Sequence, residues 1–291
     1  MRDFEHHYAQ VNGIRLHYVA AGNGPLVILL HGFPEFWYAW HKQLPALARH
    51  FRVIAPDLRG YGDSDKPKAI SNYSAKVIAR DIVELIHALG ETKAHIVGHD
   101  WGGAIAYMMA QHFPQSVSKL IVLNCPLPQL LLKSFFTNFS QLKKSWYMFF
   151  FQLPQLPERY IGKDLRTFFY RGLRGWAHNK EAFTKEDIEE YVKAYQKPYA
   201  ITGAVNYYRA AFRDGLKKEI RSITPIQADT LVIWGEDDKA LGKELTYGME
   251  KHFQNHFEIK YIPDCSHWVQ HEYPDKVNQL ILNFIKKETA S

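Results

Sequence analysis

Five short, almost unbroken apolar runs recur along the chain: Leu26 to Leu30, Val53 to Ala55, Ile96 to Val97, Leu120 to Leu123 and Leu231 to Trp234. A strand with one wet face alternates apolar and polar residues. A strand covered on both faces does not, so these runs predict a parallel sheet sandwiched between helices. The intervening segments fit that reading. Ser74 is placed to cap a helix whose buried stripe is Ile78, Ile82, Leu85, Ile86 and Leu89, and Gly90 follows as a stop. Near the other end Pro274 opens a helix with the stripe Val277, Leu280, Ile281 and Phe284. Strand and helix in alternation give an α/β, doubly wound domain.

The alternation breaks after Pro126. From Leu127 to Arg221 no strand-like run occurs; helical segments rich in aromatics are punctuated by Pro154, Pro157 and Pro198. The expected organisation is therefore an α/β core in two parts, 1–126 and 222–291, with a helical cap inserted at 127–221. Phe257 to Ile262 alternates and reads as the last strand, near an edge.

Composition excludes several function classes. With 46% hydrophobic residues over 291 positions the chain can bury a large core, and no run is long enough for a membrane-spanning helix. The first dozen residues lack the apolar region of a secretory signal, so the expected location is cytoplasmic. The net charge of +6 is scattered in single lysines and short pairs, not gathered in the stripe that nucleic-acid binders present. Cys125 and Cys265 have no zinc-like spacing and read as reduced thiols. No histidine spacing suggests a metal, and no cofactor is expected. The expected partner is a small molecule, and the sequence carries no signal for or against self-assembly.

Chemistry concentrates at strand ends. The run Ala94 to Val97 leads through Gly98-His99-Asp100-Trp101-Gly102-Gly103 into a helical pattern. This is the setting of a nucleophile elbow, with Asp100 where Gly-x-Ser-x-Gly enzymes carry serine. So sharp a turn places its central residue near positive φ and needs small neighbours, here Gly98 and Gly102. The bland alternative is that Asp100 merely caps the helix. A second turn, His31-Gly32-Phe33-Pro34, follows the first run and can aim an N–H at the same crevice. Gly235-Glu236-Asp237-Asp238 and Cys265-Ser266-His267 follow two later strands. Nucleophile, acid and base then occur in the chain order of an α/β-hydrolase triad.

On these motifs, together with Arg59-Gly60-Tyr61-Gly62-Asp63-Ser64, the sequence resembles the α/β-hydrolase superfamily and, within it, the soluble epoxide hydrolase and haloalkane dehalogenase group. The resemblance implies an α/β-hydrolase fold with Asp100 as nucleophile, His267 as base and Asp238 as the orienting acid, Asp237 being the adjacent rival. It also implies an oxyanion hole from the backbone N–H groups of Phe33 and Trp101, and a cis peptide before Pro34. His31, Pro34, Trp37, Phe150 and Trp268 are expected around the substrate. Several of Phe135, Phe136, Phe139, Trp146, Phe149, Phe150 and Phe151 are expected to line an apolar access route.

The nucleophile restricts the reaction. A carboxylate of ordinary pKa, about 3.9, is charged at neutral pH and attacks unaided, leaving the histidine free for a later step. Attack at an sp³ carbon forms an ester that water can open. An epoxide oxygen leaves as an alkoxide and needs neutral proton donors, which phenols supply. The cap segments Ser145 to Gln152 and Asn206 to Arg209 resemble those of epoxide hydrolases, which implies that Tyr147 and Tyr208 polarise the ring oxygen, with Tyr207 the rival of Tyr208. The expected reaction converts an apolar epoxide and water to a vicinal diol through an Asp-bound hydroxyalkyl ester. Haloalkane dehalogenases share the Asp-Trp pair but commonly carry Asn or Glu at the Phe33 position, and the fluoroacetate type needs arginines where this chain has Trp101 and Ala104. A non-catalytic ligand receptor on the same fold is the third reading; such proteins usually lose a triad member.

Overall fold

The computed structural model describes residues 4–213 and 224–287. Eight strands are present among them: β1 (Glu5–Val11), β2 (Ile14–Ala21), β3 (Leu26–Leu30), β4 (Arg52–Pro56), β5 (Ala94–His99), β6 (Val117–Leu123), β7 (Asp229–Gly235) and β8 (Phe257–Ile262). They form one sheet in the order β1-β2-β4-β3-β5-β6-β7-β8. All pairings from β4 to β8 are parallel, while β1 pairs β2 and β2 pairs β4 antiparallel.

The unbroken apolar runs have the expected cause. Ile28, Leu30 and Ile96 face helices α2 (Ala75–Ala88) and α3 (Trp101–His112), packing with Ile78, Ile82 and Ile105. Their neighbours Val27, Leu29 and Val97 face the other way, onto α1 (Leu44–Leu47) and the helix Pro274–Lys286. Alternate residues serve two cores, so every position must be apolar. Ser74 caps α2 by accepting from the Val77 N–H, and Gly90, at φ +85°, follows its end.

The amino-terminal hairpin is an addition to the sequence reading. Val11 pairs Ile14 across Asn12 and Gly13, both at positive φ. Asn-Gly is the favoured pair for such a turn. The strands escape an apolar-run criterion because β1 is mostly exposed, with the burial alternation of an edge.

Between β6 and β7 the described residues form helices and no strand: α4 (Pro128–Thr137), α5 (Phe139–Lys144), α6 (Trp146–Phe150), α7 (Leu156–Lys163), α8 (Leu165–Phe169), α9 (Lys185–Tyr195) and α10 (Ala200–Arg213), with short 3₁₀ and π segments. The expected return to the core at 221/222 lies outside the described residues. Buried hydroxyls fasten this layer over the carboxyl ends of the strands. Tyr207 donates to the Arg59 carbonyl at 2.7 Å, and Tyr38 donates to Asp187 at 2.8 Å. No helix among the described residues is long and apolar enough to cross a membrane.

Candidate active site

Asp100 stands between β5 and α3 with φ 51° and ψ −119°. The sharpness of the turn is set by its glycines. A Cβ on Gly98 would come within 2.3 Å of the Gly102 carbonyl oxygen, and one on Gly102 within 2.1 Å of the Leu30 carbonyl oxygen. Although Asp100 is the residue before α3, its side chain caps no N–H of that helix. Its carboxylate turns to the crevice instead, where Oδ1 accepts the Phe33 N–H at 2.8 Å. The Phe33–Pro34 peptide is cis. Trp101 is first in α3, so its N–H is among those a helix leaves without an internal partner.

His267, after β8, brings Nε2 to 3.6 Å from Asp100 Oδ2, and its Nδ1 donates to Asp238 Oδ2 at 2.7 Å. Asp238 is fully enclosed; its Oδ1 accepts the backbone N–H groups of Ala240 and Leu241. Asp237 faces outward, half exposed, and pairs with His178. Geometry therefore joins Asp238, and not Asp237, to the histidine. Burial alone would push the His267 imidazole down, but the Asp238 charge and the hydrogen bonds to Asp100 and Asp238 outweigh it and hold the pKa up at about 10. Burial likewise works to raise the Asp238 pKa and is overcome by His267, so that carboxyl lies below its ordinary value.

Above Asp100 sit Tyr147 on α6 and Tyr208 on α10, rings 5.8 Å apart and nearly perpendicular. Burial, reinforced by other nearby groups including the Asp100 charge, raises both phenols well above 10. They stay protonated donors. Tyr207 points to the Arg59 carbonyl and is spoken for.

Two cavities meet at Asp100, Tyr147 and Tyr208, which line both. The larger, about 500 Å³, is walled by Phe33, Pro34, Phe150, Phe151, Phe168 and Trp268, among others, and reaches His267. The smaller, about 100 Å³, runs along α3 on the other side. Of the expected aromatic route, Trp146, Phe150 and Phe151 line the larger cavity, Phe135 packs against Phe149, and Phe136 and Phe139 stand largely in solvent.

Two expected substrate contacts are corrected. His31 and Trp37 line neither cavity. His31 is wholly buried, donating from Nδ1 to the Gly32 carbonyl and accepting the Leu58 N–H on Nε2, so both ring nitrogens are used to tie two loops together. Trp37 belongs to a 3₁₀ turn, packs on Phe4, His6 and Phe36, and gives its N–H to Asp57.

Sequence reasoning missed residues that hold Asp238 and His267 in place. Asn124, at φ 40° just past β6, donates to Asp238 Oδ2 at 2.7 Å and accepts the Gly235 N–H. Its signal was the one used elsewhere: a polar residue directly after a buried strand. Beneath His267, the His99 Nε2 donates to the His267 carbonyl at 2.9 Å while its Nδ1 faces Glu35 at 2.9 Å. Glu35 also receives His271 at 2.8 Å. Burial would raise the Glu35 carboxyl, yet the hydrogen bonds of His271 and His99 keep it far below the usual carboxylate range. Glu35 adjoins the His31–Pro34 turn and His99 adjoins Asp100, so both signals lay inside motifs read for other atoms.

Among the described residues two groups have the spacing to hold a cation, His17 with Asp57 and Asp63, and His178 with Asp237 and Asp264. Neither includes Asp100, Asp238 or His267. Asp57 is committed to His17 and to the N–H groups of Trp37 and Asp63.

The sequence model of the alpha/beta hydrolase fold matches residues 25–274. Epoxide hydrolase 4 of Homo sapiens is 39% identical over 98% of this chain and 80% of its own length. The AB hydrolase superfamily protein YfhM of Bacillus subtilis is 39% identical over 97% of this chain and 98% of its own. Among solved structures, an epoxide hydrolase from Bacillus megaterium in complex with an inhibitor superposes with a TM-score of 0.87 at 30% identity, covering 97% of this chain and all of that one. The fold, the elbow and these likenesses along nearly the whole length agree: the chain belongs to the α/β-hydrolase fold family, in its epoxide hydrolase branch.

Proposed function

We propose that this chain hydrolyses apolar epoxides to vicinal diols, with Asp100 as nucleophile, His267 as base, Asp238 as its orienting acid, and Tyr147 and Tyr208 as donors to the ring oxygen. One observation carries the reading: an uncapped, elbow-mounted carboxylate faces two buried phenols across a largely apolar cavity, with the histidine 3.6 Å away. Asp100 Oδ2, free of the Phe33 N–H, attacks one epoxide carbon, and the bond from that same carbon to the ring oxygen breaks. The tyrosines stabilise the developing alkoxide, which takes a proton from one of the phenols, and the His267 imidazolium returns a proton to that phenol through solvent. The product is a hydroxyalkyl ester of Asp100.

Ester formation removes the Asp100 charge, one of the causes that keeps His267 protonated. The imidazole then becomes a competent base, taking a proton from water as it attacks the ester carbonyl. Asp100 Oδ1, already engaged by Phe33 N–H, is the oxygen on which the tetrahedral charge collects, with the Trp101 N–H as second donor. Asn124 and the amides of Ala240 and Leu241 fix Asp238, and His99 with Glu35 fixes the backbone of His267. Pro34, Phe150 and Trp268 contact the apolar body of the substrate, and the insertion at 127–221 serves as the cap. The discriminating experiment sets purified protein against a styrene-oxide-like epoxide and a bromoalkane side by side. Diol formation without bromide release is expected; bromide release with no diol would replace the epoxide reading by a dehalogenase.

A further inference from the structure

The smaller cavity leaves the reacting centre along one face of α3: Trp101, Ala104, Met108 and Gln111 recur at helical spacing and all line it. Ten residues at about 1.5 Å rise place Gln111 about 15 Å along the helix from Trp101. Gln111 lies at that far end, and Gln129, at the start of α4, also lines the cavity. The side-chain nitrogens of both amides are buried and have no hydrogen-bond partner among the described residues. Gln111 is only 9% exposed. Apart from Asp100, Tyr147 and Tyr208 at the reacting centre, other polar groups of the cavity are engaged: Tyr73 donates to the Pro67 carbonyl, Tyr207 to the Arg59 carbonyl, and Ser74 caps α2. A buried amide without a partner is costly, and two on the walls of a cavity open to the reaction centre mark a place for an acceptor.

Resting on the epoxide reading above, we propose that the cavity along α3 is a specificity subsite in which Gln111 and Gln129 donate to a neutral acceptor oxygen at the far end of one substituent of an internal epoxide. The reacting ring lies where the two cavities meet, so a 1,2-disubstituted epoxide places one substituent in each. Neutrality follows from the lining. Among the described residues, Asp100 is the only charged one on the walls of the smaller cavity, so a carboxylate there would be desolvated without a cation from them and would face another anion. An ester or amide carbonyl loses little on desolvation and matches two N–H donors.

The test uses chain-matched internal epoxides whose longer arm ends in a methyl ester, a free carboxylate or plain alkyl, with a styrene-oxide-like epoxide as reference for the reaction itself. Native protein is expected to favour the ester over the alkyl compound in kcat/KM by about three- to tenfold for each amide engaged. Gln111→Leu and Gln129→Leu should each erase part of that preference and the double variant all of it, chiefly through KM. Because Leu removes an unpaired buried amide, the fold should hold; Gln111→Met, closer in shape, is the second variant, and thermal midpoints check both. An ester preference that survives the double variant, or its absence in the native protein, leaves these amides as groups solvated by water and overturns the subsite. A preference for the free carboxylate overturns its neutral character. Failure on every epoxide, the reference included, instead overturns the function on which the subsite rests.

Discussion

Replacing Asp100 by Asn should lower the pKa of His267, and the size of the fall can be worked from the geometry. The two side chains approach to 3.6 Å in a closed site. A unit charge at that distance is worth about 4 to 5 kcal/mol at an effective dielectric near 20. Each 1.36 kcal/mol moves a pKa by about one, so the imidazole should fall from about 10 to about 7. Asp238 remains, which keeps the value from dropping to that of an isolated buried histidine. The stability linked to this proton has a definite sign. A raised folded-state pKa gives stability that is complete below the unfolded value of about 6.5 and is lost as pH rises through the folded value. In native protein the loss extends to about pH 10; in Asp100→Asn it should be over near pH 7 to 8. The assay is a nuclear magnetic resonance titration of ring-labelled histidine, with the His267 signal identified by its absence in His267→Gln. A His267 pKa that is unchanged or raised in Asp100→Asn would refute the claim that the nucleophile's charge controls the base.

Other outcomes follow from the same contacts. Asp238→Asn should slow ester hydrolysis strongly, whereas the half-exposed Asp237→Asn should leave turnover near native; steady-state rates of the two variants check this. Tyr147→Phe and Tyr208→Phe should each cost about 2 to 4 kcal/mol in the opening step, seen in kcat more than in binding, and the double variant should be nearly inert on epoxides. Gly98→Ala should prevent the native elbow, since the added Cβ meets backbone at 2.3 Å; loss of cooperative unfolding or of soluble protein is the readout.

Legibility in the sequence tracked how local each cause was. The buried strands declared themselves because both of their faces pack, and Gly98, Asp100 and Gly102 because one tight turn dictates all three. The edge strand β1 did not, since exposure removes the apolar run, although Asn12-Gly13 announced its turn. Asp238 and Asp237 are chemically equal in sequence; only the direction of the chain after β7 buries one and exposes the other. The same holds for Tyr208 and Tyr207, consecutive on α10 and so pointing about 100° apart. His31 and Trp37 were expected around the substrate, but their side chains turn back into the scaffold. Asn124, Glu35 and His99 stand at strand ends or beside motifs, where a signal lay, but their partners are far apart in the chain, so the sequence marks the residues and not their contacts.

The central claim is a covalent ester on Asp100, and a single turnover in ¹⁸O-labelled water, with enzyme in excess over epoxide, tests it most directly. Water that opens the ester carbonyl leaves its oxygen in the Asp100 carboxylate, while the diol takes one oxygen from the epoxide and one from the enzyme. Peptide mass spectrometry should therefore find the label in the peptide containing Asp100 and an unlabelled first-turnover diol. Label in that first diol, with Asp100 unlabelled, would mean that water attacks the epoxide carbon directly and would contradict the account.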